Sequence, residues 1–213
     1  MKKTNPTRQL LLAHGLKLVA QKGLRGMVIR ELAQETGVNL GSVVYHFGTR
    51  EKFLEEVVDQ WYSPFVAQLQ SAAQRNHDLP AVVALERVIG ELIDLIDRHA
   101  SFIAHLGADA LAGEPAAQRF LINLRTGHPK ILLRLIRQGQ RNGTIVQAPP
   151  LHLLSFIMST AALPMILAAE PLLESDWLPP TARQLTEWMA SSKGARQRLA
   201  WALRGIQAAQ SSS

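Results

Sequence analysis

Residues 29–50 read IRELAQETGVNLGSVVYHFGTR, and this stretch decides the fold. Ile29, Leu32 and Ala33 place small apolar groups on one face of a short helix. Thr36-Gly37-Val38 then forms a turn, where a glycine supplies the left-handed backbone cheaply. Asn39 is a suitable N-cap for a second short helix running through Phe47. Two short helices joined by such a turn form a helix-turn-helix. Gly41-Ser42 keeps the start of the second helix slim, as required of an element whose N-terminal end enters a major groove.

The charge distribution agrees with that reading. Lys2, Lys3, Arg8, Lys17, Lys22, Arg25, Arg30 and Arg50 face only Glu31 and Glu35 within the first fifty residues. Their excess equals the formal charge of +6 carried by the whole 213-residue chain, and the remaining residues sum to zero. A small module facing phosphate accounts for this confinement. Arg30 and Arg50 flank the motif itself, whereas Lys2 and Lys3 fit a solubilising tail equally well.

The chain is 47% hydrophobic, enough for a core, and it contains no cysteine. That excludes disulfide frameworks, thiolate zinc sites and cysteine nucleophiles, and it suits a cytoplasmic protein. The N-terminal apolar run is broken by His14, Gly15 and Lys17, so it reads as an amphipathic helix rather than a signal peptide. The apolar stretch 151–169 contains His152 and Pro164 and reads as a buried helix, so no membrane association is expected.

Helical periodicity recurs along almost the whole chain. Helices are expected at about 7–21, in the motif, and from Thr49, which caps a helix that Pro64 should kink or end. Further helices are expected at 81–98, 102–111, from Pro115 with a break at Gly127-His128-Pro129 to 141, at 151–169, and at 181–207. The last has a weak point at Ser191-Ser192-Lys193-Gly194. Pro171 and Pro179-Pro180 bound a connection, and 211–213 should fray.

The pattern ending LVAQKG, the turn IRELAQETGVN and the junction YHFGTREKFL, at their spacing, resemble the TetR family of bacterial transcriptional regulators. The resemblance is specific over about residues 8–60; beyond residue 65 only the architecture matches. It implies an all-α homodimer: a three-helix DNA-binding domain at 5–64, and a helical effector-binding and dimerisation body at 65–210. The two C-terminal helices would form the dimer interface.

Carried over by position, Leu40, Gly41, Ser42 and Val43 would meet bases and backbone. Ser42 would bond a base edge or phosphate, and Leu40 or Val43 would meet a thymine methyl. Tyr45, His46, Thr49 and Arg50 would lie at the phosphates, with Arg50 in place of the usual lysine. Val28 replaces the usual threonine cap of the second helix, and Leu40 a common lysine. His14-Gly15 replaces a pair of small residues.

The resemblance also implies a ligand-responsive regulator. Our expectation is a repressor of a palindromic operator, released when a small apolar or aromatic effector enters the body. His99, Phe102, His105, Phe120, Phe156 and Ser159 are the candidate pocket residues, chosen because interruptions at Gly107, Gly113, Gly127 and Pro164 leave room between helices. No two of the seven histidines are three or four residues apart, and no HExxH, P-loop, GxSxG or dinucleotide fingerprint occurs. No metal, cofactor or catalytic residue is therefore expected. The alternative is a helical small-molecule-binding protein whose DNA module has weakened.

Overall fold

A computed structural model describes residues 5–168 and 179–209. Eleven α-helices occur among these residues: α1 (Pro6–Lys22), α2 (Ile29–Thr36), α3 (Leu40–Phe47), α4 (Arg50–Arg75), α5 (Ala81–Leu111), α6 (Pro115–Asn123), α7 (His128–Arg141), α8 (Pro150–Ala161), α9 (Leu163–Leu167), α10 (Pro180–Ala190) and α11 (Ser192–Gly205). They contain no strand beyond an isolated antiparallel bridge between Ile145 and Gln207. The expected all-α class is observed. Pro171 and residues 211–213 lie outside the described residues.

Two compact units divide the chain. One holds residues 1–65 and 101–124, and the other 66–100 and 125–213. In the first unit, α1 buries Leu11, Leu12, Leu18 and Val19 against Leu32 of α2, Val43 and Phe47 of α3, and Phe53, Leu54, Val57 and Val58 of α4. Phe102, Leu106 and Ala110 of α5 and Ala116 and Ala117 of α6 join that same core. Trp61 packs edge-on against Phe102 at 4.5 Å between ring centroids, and Tyr62 against Phe120 at 5.0 Å. Gly15 is a close-approach point: a Cβ there would stand 2.5 Å from Cζ of Phe53, so the helix cost of this glycine is offset by the contact it permits.

Several expected boundaries change. Helix α4 runs unbroken through Pro64. Proline removes one donor, but Gln60, whose carbonyl loses its partner, is exposed to water. The helices expected at 81–98 and 102–111 are one helix, with non-helical backbone at His99 (φ −134°, ψ 23°). The apolar stretch after Pro150 is two helices, α8 and α9. Ser191 divides the final stretch into α10 and α11, its extended backbone ending one helix and its hydroxyl accepting from the Gly194 N–H at 3.0 Å to start the next.

The second unit buries Leu85, Val88, Ile89, Leu92, Ile93 and Ile96 of α5, with Ile131, Leu132, Leu135 and Ile136 of α7 and Leu153, Leu154 and Ile157 of α8. Ala195, Leu199, Ala202 and Leu203 of α11 are also buried. Arg198 is buried with them and has no carboxylate partner among the described residues. It donates to the carbonyls of Thr160 (2.8 Å), Ala161 (3.2 Å) and Met189 (2.9 Å), at the ends of α8 and α10, while its guanidinium lies 4.8 Å from the Trp188 ring centre. One side chain thus satisfies orphan carbonyls at two helix ends.

Burial at the start of α7 holds the His128 imidazole at a pKa of about 4, below its ordinary 6.5. Above pH 6.5 both folded and unfolded forms are neutral there. Below it the unfolded chain takes a proton that the folded chain refuses until about pH 4, so stability falls across that window. The expected loss is up to about 3 kcal/mol, and His128→Gln should flatten it in urea titrations compared at neutral and acid pH.

Candidate nucleic-acid interface

The motif is built by local chemistry. Gly37 ends α2 in the left-handed conformation (φ 65°), its N–H bonding back to Gln34. Asn39 then caps α3, its side chain accepting from the Gly41 N–H at 2.8 Å. Val28 precedes α2 with no side-chain cap bond, as the replacement of threonine implies. Thr49 accepts from the Lys52 N–H at 3.2 Å and so caps α4.

Helix periodicity sorts the residues of α3 into two faces. Val43 and Phe47, four apart, are buried. Leu40, Gly41, Val44 and Tyr45 are exposed, Tyr45 at 83% of its surface. Ser42 and His46 lie at the margin, and the His46 ring meets Tyr45 edge-on at 5.1 Å. This corrects the expectation for Val43. At 3% exposure it is a core residue and cannot reach a base, and Val44 takes the outward place. The four-residue spacing from Phe47 back to Val43 carried that signal in the sequence.

Arg50 is also corrected. Its guanidinium is turned inward, donating to the carbonyls of Leu24 (2.6 Å) and Met27 (3.3 Å) and pairing with Glu114 at 3.3 Å. Arg8 pairs with Glu56 and lies over the Phe47 ring, and Lys22 pairs with Glu31. Among the described residues, Lys17, Arg25, Arg30 and Lys52 are exposed cations with no ion pair. Of these, the sequence pointed to Arg30 alone as a site residue. An ion-pair partner distant in sequence, such as Glu114, could not be anticipated for Arg50.

The candidate pocket residues divide between the units. Phe102, His105 and Phe120 belong to the first, and the two phenylalanines pack on Trp61. His99, Phe156 and Ser159 belong to the second. Phe156 and Ser159 lie on the exposed face of α8 rather than in a cavity wall, with the Ser159 hydroxyl donating to the Phe156 carbonyl. The exposed face has further apolar company in the same unit: Leu151, Leu163, Leu167, Leu185, Trp188 and Trp201. Among the described residues, no helix is long and apolar enough to cross a membrane.

Residues 11–57 match the family model described as bacterial regulatory proteins, tetR family. The chain belongs to the TetR family. Like its relatives, this TetR-family chain is a transcriptional regulator. It is 22% identical over 140 residues to the HTH-type transcriptional repressor DhaR of Mycobacterium sp. (strain GP1), covering 66% of this chain and 70% of that one. It is 24% identical over 139 residues to the repressor KstR2 of Rhodococcus jostii (strain RHA1), covering 64% and 67%. The crystal structure of PfmR from Thermus thermophilus superposes with a TM-score of 0.66 at 20% identity, covering 94% of this chain and 99% of that chain, so the TetR-family fold extends well past the matched segment.

Proposed function

We propose that this regulator is a repressor that binds a palindromic operator as a homodimer and is released by a small apolar or aromatic effector. The observation that carries the DNA reading is the outward face of α3. Leu40, Gly41, Val44 and Tyr45 offer apolar and aromatic contact, and exposed Lys17, Arg25, Arg30 and Lys52 in the same unit remain available for phosphate. Residues 5–64 would supply the DNA contacts, and residues 65–210 the effector site and dimer surface.

Two features of the second unit support the remainder. The exposed apolar residues of α8 to α11 exceed what a lone small unit leaves uncovered, and a two-fold pairing of these helices would bury them. The body also has few polar groups to orient a ligand, which favours an apolar or aromatic effector. Two-fold symmetry would set the recognition helices about one DNA turn, roughly 34–36 Å, apart.

Fluorescence anisotropy with a duplex from the region upstream of the protein's own gene tests the reading. Tyr45→Ala and Arg30→Ala should weaken binding to all sequences alike, and each lost phosphate contact should reduce the salt slope by about 1. Ser42→Ala and Val44→Ala should instead change base preference. Equal affinity in all four variants and the parent would refute the assignment. Absence of duplex binding by the parent, with ligand binding intact, would favour a ligand-binding protein with a weakened DNA module.

A further inference from the structure

Two carboxylates, Asp109 near the end of α5 and Glu114 just before α6, are almost fully buried, at 9% and 6% exposure. Both belong to the unit that contains the helix-turn-helix. Asp109 accepts the backbone N–H of Leu24 at 2.6 Å. Glu114 pairs with Arg50, and Arg50 in turn donates to the Leu24 carbonyl at 2.6 Å. Both backbone groups of Leu24 are therefore held by the segment 109–114, directly or through one guanidinium. Gly23 fits the same arrangement: its φ is +73°, and a Cβ would stand 2.8 Å from Oδ2 of Asp109.

A buried carboxylate is a costly way to bond one neutral N–H, since removing the charge from water outweighs the gain of one such bond. Its value lies in fixing geometry. The turn it grips, residues 23–28, leads straight into α2, and α2 with α3 forms the motif. We infer that Asp109 and Glu114 are positioning residues of the DNA-binding module, clamping the α1–α2 turn so that α2 and α3 are presented in register. The inference rests on the DNA-binding reading. It extends the functional module beyond residues 5–64 to include 109–114. The chain enters this segment just after the non-helical backbone at His99, so a change in the later part of α5 would act on the turn without passing through α4.

The test uses the full-length protein and its Asp109→Ala, Asp109→Asn and Glu114→Gln variants. Amide exchange of residues 23–27, operator affinity and the salt slope are read together. In Asp109→Ala, exchange at Leu24 should rise and affinity fall, each roughly tenfold, because one charge-assisted bond is lost. The salt slope should stay unchanged, since no phosphate contact is removed. Asp109→Asn keeps an acceptor and should restore most of both. Glu114→Gln should show a smaller loss of the same kind. Parent-like exchange at residues 23–27 in all three variants overturns the clamp. Raised exchange with parent-like affinity overturns the positioning role. If Asp109→Ala does not fold, the Asn and Gln variants decide. If the parent itself binds no duplex, the DNA reading fails while the exchange measurement still decides the clamp.

Discussion

Arg198→Ala is expected to cost about 3–5 kcal/mol, a large share of the roughly 5–15 kcal/mol that holds a domain together. The variant leaves the carbonyls of Thr160, Ala161 and Met189 without their donor, and alanine does not fill the space. Arg198→Lys should recover only part of the loss, because one ammonium cannot reach the ends of two helices as a planar fork does. Burial without a carboxylate lowers the Arg198 pKa, in keeping with a charge held by dipoles alone. A second effect should accompany the first. The guanidinium supports Trp188, whose ring lies 6.3 Å from that of Trp201 on the exposed apolar face. The variant should therefore dissociate at higher protein concentration than the parent. Urea titration and sedimentation velocity check the two effects, and an unchanged midpoint would refute the role of Arg198.

Arg50→Ala should destabilise the N-terminal unit by about 2–4 kcal/mol, because it strands the buried Glu114 carboxylate as well as the Leu24 and Met27 carbonyls. The loss is smaller than for Arg198 because the Arg50 side chain is 30% exposed and partly screened. Its DNA phenotype distinguishes an internal strut from a phosphate contact. A strut lowers affinity without altering the salt slope, while a lost phosphate contact reduces the slope by about 1. Titrations at several salt concentrations, below the melting range of the variant, separate the two.

Local signals made the motif legible. Gly37 and Asn39 act on atoms within five residues of themselves, so their roles as helix stop and helix start could be read directly. The helical class was equally legible from periodicity. Boundaries fared less well where a breaker met a favourable environment: Pro64 left α4 intact because its exposed side tolerates a missing donor, whereas His99, which carries no breaker signal, departs from helical backbone. The assignment of Val43 to the DNA face failed on one helical step. Neighbouring valines at 43 and 44 have the same composition, and only packing against the α1 and α4 core decides which turns inward.

By itself, the sequence determined an all-helical chain with a helix-turn-helix at residues 29–50 and a basic excess confined to that end. These depend on spacing and on contacts between near neighbours in the chain. Only the tertiary structure decided which of those cations stay available, because Arg8 and Arg50 find acidic partners 48 and 64 residues away. It also decided that Asp109 and Glu114 serve the N-terminal module and that Arg198 ends two helices. Each of these pairings joins residues far apart in sequence, and their geometry is set by the packing of whole helices rather than by any local pattern.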